Sequence, residues 1–223
     1  GGENIVSASW DKTVRVWSKA TGECVQTLVG HSSYVTSAAF SPEGGAAQVG
    51  EGGETAEVAK TKADKEAKAA ALRHTLEVTD IGAPAAAADA TSIGLVGRRI
   101  VSASYDKTVR VWSAETGECV QTLAGHRNAV MSAAFSPGGE NIVSASWDKT
   151  VRVWSTATGE CVQTLVGHRD RVYSAQFSPD GQNIVSASGD KTVRVWSAAT
   201  GECVQTLAGH SGVVRSAQFS PDG

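Results

Sequence analysis

One stretch, IVSASWDKTVRVWSKATGECVQTLVGHSSYVTSAAFSP at residues 5–42, is written four times along the chain with few changes. Self-similarity at a fixed period means that each copy is one structural unit, stable only when stacked on its neighbours. The copies begin at Ile5, Ile100, Ile142 and Ile184, so the last three follow at a period of 42, while the first interval is 95. The 53 residues in excess mark a foreign segment at 46–99.

Within a copy, NIVSAS, KTVRVWS, ECVQTL and VTSAAFSP alternate apolar and small polar residues, with turn-forming clusters between them. Four short strands at this spacing favour an antiparallel meander over βαβ units. The chain is 223 residues long and 41% apolar, which is enough for a sizeable core, and no apolar run approaches the ~18 residues of a membrane span. A net charge of −3 and a pI near 6.0 supply no basic field for nucleic acid. GGENIVSAS lacks the features of a signal peptide, and a cytoplasmic location is expected. Cys24, Cys119, Cys161 and Cys203 fall at the same place in successive copies. They are therefore held apart, which argues against disulfides or a metal cluster and leads to an expectation of buried, reduced thiols. No cofactor or metal is expected.

Gly-His stands at Gly30-His31, Gly125-His126, Gly167-His168 and Gly209-His210. A turn aspartate follows at Asp11, Asp106, Asp148 and Asp190, and a tryptophan at Trp17, Trp112, Trp154 and Trp196. Four matches in register resemble the WD-repeat β-propeller family over about three-quarters of the chain. The dipeptide that names the family is here Trp-Ser, as at Trp17-Ser18. The resemblance implies an all-β propeller of four-stranded antiparallel blades, with a hydrogen-bonded chain of His, Ser, Asp and Trp in each. The expected sets are His31 with Ser102, Asp106 and Trp112; His126 with Ser144, Asp148 and Trp154; His168 with Ser186, Asp190 and Trp196. His210 is left to reach Ser7, Asp11 and Trp17 by ring closure.

A Ser-His-Asp trio repeated in every blade, without a G-x-S-x-G elbow, reads as structural glue and not as a hydrolase site. Residues 1–45 are read as strands b, c and d of a first blade and strand a of the second; 100–223 complete the second blade, add two more and end on a strand a at about 213–220. One blade is thus divided between the two ends. Closure within one chain would make a four-bladed ring, but WD-repeat blades resemble those of larger rings within the usual four to eight, so the expectation is a homodimer closing an eight-bladed ring, which also removes the exposed edges.

The segment 46–99 holds fifteen alanines and no aromatic residue or cysteine, and reads as helical over 54–78 and 84–92. Its VGEGGET lacks the Gly-Lys-Ser/Thr of a phosphate loop. The copies differ most in the loops around the turn aspartate and after the histidine. There Trp10, Tyr34, Tyr105, Met131, Trp147, Arg171, Tyr173 and Arg215 form a candidate partner-binding rim, although each ring could equally serve to cover the neighbouring blade's loop. Near-identical copies point to recent amplification or deliberate design. The leading expectation is a non-catalytic, self-assembling scaffold; the alternative is a natural module that binds a peptide or protein on the aromatic face.

Overall fold

The computed structural model describes residues 4–43, 95 and 97–222. Of the two units into which the chain divides, 1–47 with 88–223 and 48–87, only the first holds described residues. The expected helices at 54–78 and 84–92 lie outside the described residues.

The alternating runs fold as β-strands. A first sheet holds β1 (Asn4–Ala8), β2 (Thr13–Ser18) and β3 (Cys24–Val29). Three four-stranded sheets follow. One is β4 (Val35–Phe40), β5 (Arg99–Ser104), β6 (Thr108–Ser113) and β7 (Cys119–Ala124). The next is β8 (Val130–Phe135), β9 (Asn141–Ser146), β10 (Thr150–Ser155) and β11 (Cys161–Val166). The last is β12 (Val172–Phe177), β13 (Asn183–Ser188), β14 (Thr192–Ser197) and β15 (Cys203–Ala208). Every pairing is antiparallel, with one register repeated from sheet to sheet: Ile100↔Trp112, Ile142↔Trp154 and Ile184↔Trp196. The blade reaches back across the end of the inserted segment, since β5 begins at Arg99 and Leu95 is buried in the core.

The core lies between blades. Val101, Val109, Val111 and Leu123 of one sheet pack against Val130, Ile142 and Trp154 of the next. The same contact recurs with Val143, Val151, Val153 and Leu165 against Val172, Ile184 and Trp196, and with Val14, Val16 and Leu28 against Val35, Ile100 and Trp112. Backbone bonds to serine tie the inner strands together: Ala133 N donates to Ser37 Oγ (3.1 Å) and Ala175 N to Ser132 Oγ (3.1 Å).

The last segment continues that series, for Ala217 N donates to Ser174 Oγ at 3.3 Å. Residues 213–220 therefore occupy the place of an inner strand, but they pair with no strand. The expected strand at 213–220 is not formed: among the described residues no second strand stands beside it to complete a ladder. The first sheet correspondingly has no inner strand among the described residues. Leu207 is 44% exposed where Leu28, Leu123 and Leu165 are 1–2% exposed, and Ile5 is 54% exposed where its three counterparts are at 0%.

The cysteine expectation fails. Cys24, Cys119, Cys161 and Cys203 are free but exposed. Each begins the outermost strand of its blade, opposite the tryptophan and beside a β-bulge, so its side chain faces solvent and not the inter-blade core.

Candidate partner-binding face

The turns after β1, β5, β9 and β13 and the loops after β3, β7, β11 and β15 share one end of the blades. Internal hydrogen-bond chains fix their positions. In the third blade Trp154 Nε1 donates to Ser144 Oγ (2.8 Å), which lies 2.8 Å from His126 Nε2; His126 Nδ1 lies 2.8 Å from Asp148 Oδ2. His168, Ser186, Asp190 and Trp196 repeat this arrangement, as do His31, Ser102, Asp106 and Trp112 across the inserted segment. One proton arrangement satisfies every group: indole N–H to serine, serine O–H to Nε2, and Nδ1–H to carboxylate, with the imidazole neutral. Burial accordingly holds His31 and His168 below the ordinary histidine range, against the opposing pull of Asp106 and Asp190.

The aspartates are also anchored to their own turns. Asp148 Oδ1 accepts from Thr150 N (3.0 Å) and Thr150 Oγ1 (2.6 Å), and Oδ2 from Arg127 N (2.9 Å). Burial pushes its carboxyl up, but the bonds from His126, Thr150 and Arg127 outweigh that, and it titrates well below the usual range. Asp106 and Asp190 are lowered in the same way.

His210 stands outside this pattern. It is exposed, while Trp17 Nε1 donates to Ser7 Oγ (2.8 Å) and Asp11 turns to Thr13 and Arg15 without it. Gly209 likewise has open space around it, whereas a Cβ at Gly125 would lie 2.6 Å from Arg152 Nη1 and 3.2 Å from Trp154 Cη2. His210 thus makes none of the contacts to a serine and an aspartate that His31, His126 and His168 make in the three internal joints.

On this frame stands a row of aromatic rings. Trp10 stacks on Tyr34 (centroids 5.3 Å apart), Tyr34 meets Tyr105 edge-on (5.9 Å), Tyr105 meets Trp147 (5.1 Å), and Trp147 meets Tyr173 (6.4 Å). Arg171 lies 4.4 Å over Trp147, and Arg215 lies 5.1 Å over Tyr173. Seven of the eight expected rim residues thus form one continuous surface, with Trp10 70% exposed. Met131 is half-buried and makes no link in the row of rings. Main-chain bonds place the rings, such as Tyr105 N to Tyr34 O (2.9 Å) and Trp147 N to Ala129 O (3.0 Å). Thr36, Met131 and Tyr173 stand at register shifts near the starts of β4, β8 and β12; such bulges re-aim a side chain out of the alternating pattern. Periodicity gives no sign of these bulges, which is why the link from Trp147 through Tyr173 to Arg215 was not visible as a row.

At the opposite end the four Phe-Ser-Pro runs converge. Phe40, Phe135, Phe177 and Phe219 with their prolines line a cavity of about 550 Å³, and Arg98 lies 4.7 Å over the Phe40 ring. Among the described residues no cluster of His, Cys, Asp and Glu is placed to hold a metal, and no helix is long and apolar enough to cross a membrane.

The family model for the WD domain, G-beta repeat, matches residues 1–18, 22–45, 91–113, 117–155, 159–197 and 201–223. The chain is 31% identical over 156 residues to nuclear distribution protein PAC1-2 of Uncinocarpus reesii, covering 62% of this chain and 32% of that protein. It is 28% identical over 150 residues to nuclear distribution protein PAC1 of Gibberella zeae, with the same coverage. Identity to nuclear distribution protein PAC1 of Mycosarcoma maydis is 45% over 56 residues, 25% of this chain and 12% of that protein. The chain therefore spans about a third or less of the length of these relatives.

Proposed function

The chain belongs to the WD domain, G-beta repeat family, and from that premise we propose that it is a non-catalytic interaction scaffold holding a peptide or protein segment across the aromatic loop face. The observation that carries this is the row from Trp10 to Arg215. Rings and guanidiniums are the usual anchors of recognition, and here a rigid hydrogen-bonded frame presents them together. A catalytic reading finds no support: Ser102, Ser144 and Ser186 are at 0% exposure, each bonded to indole and imidazole, and the arrangement is the same in three blades. Likeness to natural proteins at 28–45% identity favours an interaction module over a designed assembly. The test is to select peptides on the native chain from a displayed random library. Peptides that bind the native chain and not Trp10→Ala/Trp147→Ala support the reading; peptides indifferent to both substitutions sink it.

A second reading, self-assembly, rests on a separate observation. Among the described residues, 213–220 lie in the inner-strand position without a sheet, and the first sheet has no inner strand. We propose that a second copy supplies the missing part on each side, giving a homodimer whose two joints pair residues 213–220 with β1 and bring His210 to Ser7, Asp11 and Trp17. Covering Leu207 and Ile5 contributes about 2 kcal/mol per joint, to which a strand ladder and a histidine chain add. Light scattering should then give twice the 23.0 kDa chain, falling to one chain in Leu207→Asp. A single-chain mass at every concentration overturns it.

A further inference from the structure

The charges of the described residues are sorted between the two ends of the blades. At the loop end Arg127, Arg169, Arg171 and Arg215 are exposed and form no ion pair. Lys12, Lys107, Lys149 and Lys191 stand exposed at the tips of the turns, with φ between 69° and 74°. That backbone conformation is strained for lysine and would be relieved by glycine. Of the carboxylates at the same end, Asp106, Asp148 and Asp190 are committed to histidines and threonines. Asp11 and Asp170 are exposed, Asp11 beside Arg15 and Asp170 accepting from the Arg171 N–H, and they are outnumbered by the eight exposed Arg and Lys residues. The face is thus outwardly cationic on a chain of net charge −3, while the opposite turns expose Glu118, Glu140, Glu160 and Asp180.

The aromatic row ends at the fourth turn, where Gly189 takes the place of Trp10, Tyr105 and Trp147 and a Cβ would lie 2.9 Å from Asp170 Oδ2. Around that break gather Arg169, Arg171 and Arg215. One end of the face is aromatic and the other cationic. Beyond the exposed Trp10 and Tyr34, the rings do not suit nucleic-acid bases, which need open faces to stack on. Tyr105 meets both neighbours at about 70°, and Arg171 and Arg215 cover Trp147 and Tyr173. Beneath Arg171, Trp147 Nε1 is buried without an acceptor.

Resting on the interaction reading above, we infer that the partner is an acidic peptide segment, its carboxylates on Arg171 and Arg215 and an adjoining apolar side chain laid along the rings toward Trp10. A carboxylate that draws Arg171 off the Trp147 ring also opens the indole N–H to an acceptor, so binding alters tryptophan fluorescence. Rim charges act mainly through complementarity and steering, which makes the interaction salt-sensitive.

The test uses peptides selected on the native chain from the displayed random library, with fluorescence anisotropy of the most enriched sequence. Enrichment in Asp and Glu is expected. Affinity should fall about tenfold in Arg171→Glu/Arg215→Glu, and about as much when salt rises from about 0.05 to about 0.5 M. Both guanidiniums are exposed, so the variant should keep its denaturation midpoint. Neutral or basic peptides that require Trp10 and Trp147 but ignore the arginine reversals overturn this inference and leave the interaction reading standing; peptides that require none of these residues overturn both. A single-stranded oligoribonucleotide that displaces the peptide from the same face also overturns it.

Discussion

Four nearly identical blades allow one substitution to be compared with itself in different surroundings. Ser144 is fully buried, accepts the Trp154 indole N–H at 2.8 Å and donates to His126 at 2.8 Å. Ser144→Ala leaves the N–H of a tryptophan that is 1% exposed, together with an imidazole nitrogen, unpaired away from water. One orphaned buried group costs about 1–3 kcal/mol, and the pair shares some of that loss, so a total of about 2–4 kcal/mol is expected. With a urea m-value of about 2 kcal/mol/M, the midpoint drops by about 1–2 M. Ser7→Ala removes the same hydroxyl beside Trp17, but there the indole is half-buried and no histidine is bonded. Water replaces the serine, and the cost stays below about 1 kcal/mol. Urea unfolding followed by far-UV circular dichroism, at concentrations where the mass is that of one chain, reads both. If second copies complete the split blade, the Ser7→Ala penalty should grow toward that of Ser144→Ala as concentration rises. Equal penalties in the single chain would refute the reasoning, because the histidine chain would then add nothing to the buried joint.

Acid should weaken the fold in two stages. Unfolded histidine takes a proton near pH 6.5, while His31 and His168 resist it when folded; stability is complete above about pH 6.5 and falls below it. The lowered aspartates add a second loss as pH drops below about 4, where the unfolded carboxyls begin to protonate. Urea midpoints at stepped pH values read this, and a rise in stability from pH 7 to 5 would show an imidazolium–carboxylate pair instead. Gly125→Ala forces a Cβ against Arg152 and Trp154 and should cost about 1–3 kcal/mol. Gly209→Ala, with the same backbone angle and open space around it, should cost several-fold less in the single chain by the same urea titration. All four cysteines should react with a soluble thiol reagent in the native protein at rates near that of an unfolded control; protection of any of them would place it in a contact absent from the single chain.

The blades were legible because copying makes a weak pattern strong. One Gly-His or one Asp before a Trp says little, but four in register set strand order, turn positions and the spacing of His126, Ser144, Asp148 and Trp154. The cysteines were misread because small apolar residues at strand starts usually point inward; the bulge between Val153 and Trp154, repeated in the other sheets, accompanies the departure and leaves no mark in the composition. The rim residues were identifiable as the places where the copies differ, yet their order was not. A ring-to-ring chain depends on which loop leans on which neighbour, and that is decided by bonds such as Tyr105 N to Tyr34 O that the side-chain sequence does not encode.

Amide hydrogen exchange with and without a selected peptide tests most directly whether the aromatic end of the blades is the recognition surface. Slowed exchange confined to the turns at residues 9–12, 105–107 and 147–149 and the loops at 30–35, 167–173 and 210–215 is the predicted result. Slowed exchange at the Phe-Ser-Pro runs around Phe135 and Phe177, with those loops unchanged, would place the partner in the opposite cavity and contradict it.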